Sequence, residues 1–186
     1  TIHGNEGAGT PLVRRLAREI EDNPKQVKGR RVVMLPVVNP DGYVNSSRFN
    51  VHGVDLNRNF PSENFDPSPR HGGFALCEPE SQAIYDVLKK YRPRRIVSIH
   101  QPLACIDYDG PAVGLAAAMG RHTNLPVKRI GSRPGSLGSY AGITLGIPII
   151  TLELPATASS MDDDSLWSAY GDTLLAAIRY PDEPHH

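Results

Sequence analysis

The chain has only two cysteines in 186 residues, Cys77 and Cys105. That is too few for a disulfide scaffold, and the pair reads as two free thiols rather than a bridge. No stretch approaches 18 uninterrupted apolar residues, which excludes a membrane-spanning helix. Neither sign of charge dominates: 20 Lys+Arg stand against 20 Asp+Glu, with a pI near 7.0. A nucleic-acid partner and a polybasic membrane surface are therefore not expected. There is no internal repeat or low-complexity tract. What is present in surplus is glycine and proline, 17 of each. Together they make about 18% of the chain, against ~12% in average usage. At 39% hydrophobic content the chain is globular rather than disordered. Its Gly/Pro surplus predicts long ordered loops, the part of a fold that most often carries function. The length suits one domain, expected over 1–183 with 184–186 as a tail.

Periodicity predicts alternating helices and strands. Thr10-Pro11 reads as an N-cap followed by proline at the first helical position, and Leu12, Val13, Leu16, Ala17 and Ile20 give one apolar face to a helix over 10–22. Val32 to Val38 is a near-continuous apolar run, as in a strand covered on both faces. Asn39-Pro40-Asp41-Gly42 is a turn signal, and 43–76 reads as a long functional loop. A second helix opens at Glu78-Pro79-Glu80, followed by a strand over 96–100 and a helix after Pro111 ending near Asn124. A short strand at 127–130, a short helix over 136–145, a strand over 147–152 and a last helix through Leu166 and Ile178 complete the order. Asp162-Asp163-Asp164 reads as the acidic N-terminus of that last helix. The fold class is α/β, a mostly parallel mixed sheet flanked by helices.

In open α/β sheets, ligands bind beyond the carboxyl ends of the strands. His100 ends one strand and Glu153 another, and a lone buried carboxylate is costly unless paired, metal-bound or used in catalysis. His3-Gly4-Asn5-Glu6 places an imidazole and a carboxylate three residues apart, on one side of a turn. With His100 this makes a His₂Glu set, which zinc commonly uses while keeping a fourth position open. His52, His71 and His122 have no partners at metal-ligand spacing and read as loop or surface residues.

These features occur with others in a fixed order: Asn39-Pro40-Asp41-Gly42-Tyr43, Gly53-Val54-Asp55-Leu56-Asn57-Arg58-Asn59-Phe60, Glu78-Pro79-Glu80, Ser98-Ile99-His100 and Thr151-Leu152-Glu153-Leu154. The set resembles the zinc carboxypeptidase family. Within it, Arg48-Phe49-Asn50, His100-Gln101-Pro102-Leu103-Ala104-Cys105 and Pro134-Gly135-Ser136-Leu137-Gly138-Ser139 are similar to the bacterial murein peptide amidase branch. The resemblance implies a three-layer α/β/α fold in which sheet strands precede the His3 motif, so the chain is expected to begin partway through its own sheet. It implies one zinc ion on His3, Glu6 and His100, with Asp55 orienting His3 from behind. Glu153 would take the proton of a zinc-bound water and deliver it to the leaving amine, and Arg48 would face the developing oxyanion. Asn57 and Arg58 would grip the terminal carboxylate of the substrate. The family's mobile tyrosine has no counterpart, since Lys128, Arg129 and Ile130 stand where it is expected.

Specificity is expected from the segment around 131–146. No acidic residue occurs in Gly131 to Gly146, which argues against selection of C-terminal Lys or Arg. Ser136 and Leu137 are expected to line the pocket, and Arg133 to pair with a carboxylate on the substrate side chain. The implied activity is zinc-dependent hydrolysis of an amide bond beside a C-terminal carboxylate, in particular γ-D-Glu-meso-diaminopimelate of a small murein tripeptide. The alternatives are a conventional metallocarboxypeptidase, an acyl-amino-acid deacylase of the aspartoacylase type, and an inactive metal-binding module. The resemblance favours a cytoplasmic compartment, with a secreted or periplasmic one open because residues are expected ahead of Thr1.

Overall fold

Side chains alternate across a strand, and that alternation in one segment, Ile149–Pro155, organises the molecule. The computed structural model describes residues 1–181, so the expected 184–186 tail lies outside the described residues. In chain order it contains α1 (Gly9–Asp22), α2 (Pro40–Val44), α3 (Pro79–Tyr91), β1 (Ile96–His100), β2 (Leu103–Asp109), α4 (Val113–Gly120), β3 (Val127–Lys128), β4 (Ile149–Pro155) and α5 (Asp163–Arg179). A 3₁₀ turn at Leu56–Arg58 and a π-helical turn at Gly138–Thr144 lie between them. The sheet order is β1-β4-β2-β3. β4 runs parallel to β1 and antiparallel to β2, while β2 and β3 are parallel.

Ile150, Leu152 and Leu154 of β4 point to one face, where they join Ile106 of β2 in a core closed by Leu12 and Leu16 of α1, Leu115 and Met119 of α4, and Leu166 and Leu174 of α5. Ile149 points to the other face, into a second cluster with Leu56, Phe60, Leu137, Tyr140, and Ile84 and Leu88 of α3. The sheet therefore lies between helices on both sides. The same parity sends Ser98 and His100 of β1, Thr151 and Glu153 of β4, and Cys105, Asp107 and Asp109 of β2 to the second face. Among the described residues no helix is long and apolar enough to cross a membrane.

Several expectations are corrected. Val32–Val38 forms no strand: its backbone contacts run to Thr1, with Val38 N and Asn39 N donating to Thr1 O and the Thr1 amine donating to Pro36 O. An apolar run specifies burial but not a pairing partner, and here Val33 and Leu35 are each 42% exposed. Thr10 does not cap α1. The cap position is Ala8 without a side-chain bond, and Thr10 lies inside the helix, its hydroxyl donating to Pro36 O. Strand β2 was not anticipated, because Pro102 and the positive φ of Ala104 (51°) interrupt its start. The helix after Pro111 ends at Gly120, before Asn124, and β3 covers only 127–128. The Asp162 cap is present, its carboxylate accepting from Ser165 N at 2.8 Å, and both cysteines are free.

Leu152 sits in an interior strand with no solvent exposure, so Leu152→Ala should cost about 3 kcal/mol through lost burial and the cavity left behind. Ile143→Ala, at a 53% exposed position, should stay within about 0.5 kcal/mol. Urea unfolding of the two variants checks the pair.

Candidate active site

The first turn of the chain brings His3 and Glu6 together, with Glu6 N donating to His3 O at 3.0 Å. It is braced by the Asn39 motif. Asn39 is fully buried; its Oδ1 accepts from Gly42 N at 2.9 Å, capping α2, while its Nδ2 donates to Ile2 O at 3.1 Å. Proline at the first position of α2 suits such a cap. The approach is so close that a Cβ on Gly4 would lie 1.9 Å from Gly42 C, so a side chain there would push the two turns apart.

Glu6 stands between the two imidazoles. Its Oε1 is 2.8 Å from His3 Nδ1 and its Oε2 is 2.8 Å from His100 Nδ1, with Gln101 N donating to Oε2 at 3.2 Å. The rings meet edge to face, with centroids 5.0 Å apart. His3 Nε2 is 2.9 Å from Asp55 Oδ1, and His100 Nε2 is 3.0 Å from Ser98 Oγ. All three residues are buried, and their ligand atoms lie within 4.8 Å of one another. Two imidazole nitrogens and a carboxylate converging on one point, one ring held from behind by a second carboxylate, fit a zinc ion in donor type and number.

The electrostatics follow from this packing. Burial opposes charge on Glu6, but hydrogen bonds from His100 and His3 outweigh it and hold the carboxyl at about 2. Burial likewise opposes charge on Asp55, and His3, Arg48 and Arg58 hold its carboxyl well below the usual range. Glu153 shows the opposite result: burial raises its carboxyl pKa, against a hydrogen bond from Leu103 N (3.3 Å to Oε2). It is the register partner of His100, on the same face of the sheet.

Arg48 is half-buried and reaches both acids of the cluster, with Nε 3.0 Å from Asp55 Oδ2 and Nη1 3.3 Å from Glu6 Oε1. Asp55 also caps the 3₁₀ turn, accepting from Asn57 N at 3.0 Å. Asn57 Oδ1 accepts from Leu137 N at 2.9 Å, which ties this turn to the segment expected to set specificity. Gly135 completes the tie. Its φ is +68°, its carbonyl accepts from Phe60 N at 2.9 Å, and a Cβ there would lie 2.1 Å from Arg58 O. Burial lowers the Arg58 pKa, and the charges of Arg48 and Arg133 add to the effect, so three guanidinium groups share one neighbourhood. Ser136 and Leu137 serve the turn itself: Ser136 Oγ accepts from Ser139 N at 3.0 Å, and the Leu137 side chain is buried in the second cluster.

Two acids that the 131–146 window could not show are brought against it from β2. Asp107 Oδ1 accepts from Ile130 N at 2.8 Å, and Asp109 bonds with Ser132. Both are buried, and burial, with Asp107 nearby, raises the Asp109 carboxyl pKa. The lack of acids within 131–146 thus does not extend to the strand packed against that segment. The signal was the alternation Cys105-Ile106-Asp107-Tyr108-Asp109, a strand with its acids on one side. His52, read as a residue without metal partners, pairs instead with Glu78, its Nδ1 2.7 Å from Oε2.

This sheet, and a His₂Glu cluster built from the first turn of the chain and the end of β1 and backed by an aspartate, define the zinc carboxypeptidases. The family's sequence model matches residues 1–108, and the chain belongs to the zinc carboxypeptidase family. Among its relatives, murein peptide amidase A of Escherichia coli is 35% identical over 163 residues, covering 78% of this chain and 66% of that protein. The chain thus spans just under two thirds of this relative's length. The Vibrio campbellii protein of the same name is 29% identical over 178 residues, covering 86% of this chain and 70% of its own. The crystal structure of the murein-tripeptide amidase from E. coli O157 superposes with a TM-score of 0.76 at 28% identity, over 98% of this chain and 80% of that one.

The depressed carboxyl groups give a testable acid limit. Glu6 in the folded protein ionises at about 2, against an ordinary value of 4.5. Its contribution to stability is complete above about pH 4.5 and is lost as pH falls toward 2. Urea unfolding of the metal-free protein between pH 6 and pH 3 should show this decline, and Glu6→Gln should flatten it.

Proposed function

We propose that the protein is a zinc-dependent amidase that releases meso-diaminopimelate from a small murein tripeptide by hydrolysing its γ-D-glutamyl bond. The observation that carries the proposal is the buried His3–Glu6–His100 set with Glu153 in register beside it, flanked by Arg48, Arg58 and Arg133. The similarity to murein peptide amidases supports the choice of substrate.

Zinc on His3, Glu6 and His100, when bound, acidifies a water and polarises the scissile carbonyl. Glu153 takes the proton as the water oxygen bonds to the carbonyl carbon, and returns it to the amine nitrogen as the C–N bond breaks. Arg48 supplies fixed positive charge toward the oxygen on which negative charge develops. Arg58 and the Asn57 amide group receive the terminal carboxylate. The diaminopimelate side chain ends in a carboxylate and an ammonium, and in this reading Arg133 pairs with the first and the Asp107–Asp109 side of β2 faces the second. The acids on β2 also favour a second reading, a carboxypeptidase releasing C-terminal Lys or Arg, in which Arg133 has no part.

With zinc supplied, the protein should release diaminopimelate from L-Ala-γ-D-Glu-meso-diaminopimelate in preference to Lys, Arg or Phe from ordinary peptides. Activity confined to the ordinary peptides would sink the murein assignment. Glu153→Gln should lower kcat by roughly 10²–10⁴-fold while zinc stoichiometry stays at one. Arg133→Ala should cost about tenfold or more in kcat/KM on the tripeptide and spare a Lys-terminated peptide, whereas Asp107→Asn should weaken both.

A further inference from the structure

Glu78 is a buried carboxylate that the chemistry above does not use. It occupies the N-cap position of α3, yet its side chain makes no capping bond to that helix. Its Oε2 accepts instead from Asn50 Nδ2 at 2.6 Å and lies 2.7 Å from His52 Nδ1. Burial opposes its charge, and His52 and Asn50 more than offset that, holding the carboxyl below the usual range.

Asn50 is the closing residue of a turn. Its Oδ1 accepts from His52 N at 3.1 Å and Val54 N at 3.0 Å, its own N–H donates to Val54 O, and its carbonyl accepts from Gly53 N. Asn50 is itself buried. What fixes it from outside the turn is its Nδ2, short to Glu78 and longer, 3.3 Å, to Glu80. Arg48 enters this turn and Asp55 leaves it, and the two then bond to each other. Asn57 and Arg58 follow within three residues. The geometry of a terminal-carboxylate grip is thus set at one remove, by an acid on a different element.

We infer that Glu78 is a positioning residue: acting through Asn50, it sets the placement of Arg48, Asn57 and Arg58 and so the enzyme's requirement for a free substrate carboxylate. The inference rests on the reading above in which Asn57 and Arg58 receive that carboxylate. A buried amide nitrogen deprived of a strong acceptor finds a new geometry or a water, and either displaces a turn whose internal hydrogen bonds all involve the same asparagine.

The test compares the zinc-loaded full chain and its variants on a peptide with a free C-terminal carboxylate and on the same peptide amidated, with zinc content and thermal melting measured alongside. Glu78→Ala should retain one zinc, raise KM for the carboxylate peptide by about tenfold with a smaller change in kcat, and reduce the preference for carboxylate over amide by the same factor. Glu78→Gln keeps an acceptor oxygen for Asn50 and should restore most of that preference. His52→Ala, at an exposed partner, should leave it within about twofold. If Glu78→Ala folds poorly, Asn50→Asp sets two carboxylates against each other without leaving a cavity, and should produce the same loss. Preference intact in Glu78→Ala or Asn50→Asp, even with a lowered melting temperature, would make the contact purely structural and overturn the inference. So would Glu78→Gln behaving like Glu78→Ala. A wild-type enzyme indifferent to amidation would overturn the role given to Asn57 and Arg58, and this inference with it; that outcome appears before any variant is made.

Discussion

A single carboxylate held between two imidazoles ties the first turn of the chain to the end of β1, ninety-four residues later. Burying Glu6 is costly unless every lone pair is answered, and here each oxygen has a histidine, with a backbone N–H and Arg48 besides. The surrounding structure serves to hold that arrangement. Asn39 braces the turn that carries His3 and Glu6, Asp55 fixes the far nitrogen of His3, and β1 delivers His100 at the strand end where the sheet can supply no further backbone partner. With so many groups meeting the carboxylate, its charge is far easier to keep than to neutralise, and a cation at the centre would complete the set rather than disturb it.

The sheet makes a second contribution through parity. Because β4 is interior, its two faces have opposite fates: Ile150, Leu152 and Leu154 pack against α1, α4 and α5, while Thr151 and Glu153 project to the side where His100 and the β2 acids also lie. The neutral total charge conceals this separation. Carboxylates lie on the strand face, and guanidinium groups come from the loops beside it.

The parts of this arrangement legible from the sequence were those marked by strand ends and local spacing. His3 and Glu6 share a turn, and His100 and Glu153 each close an apolar run, so spacing and periodicity mark them as candidates, and the ordered motifs around them supply the assignment. The Val32–Val38 segment shows the limit of that reasoning, since hydrophobicity says nothing about which strand will pair with it. Asp107 and Asp109 escaped notice because they reach the 130–137 segment through sheet register, and Pro102 and Ala104 blur the strand that carries them. Glu78 was visible as the start of α3, but its contact with Asn50 spans twenty-eight residues and leaves no periodic trace. Long-range polar contacts of this kind are set by tertiary packing, and a window of neighbouring residues carries no record of them.

Gly135 has a consequence beyond its own conformation. Its missing side chain is the space into which the backbone of Arg58 fits, and the two segments share hydrogen bonds on either side of that contact. The 131–137 segment and the turn carrying Asn57 and Arg58 are therefore braced against each other. In the proposed reading, binding at the two segments is coupled, because a ligand that shifts one segment alters the fit of the other. A substitution within 131–137 that moves the backbone therefore also displaces the turn carrying Asn57 and Arg58.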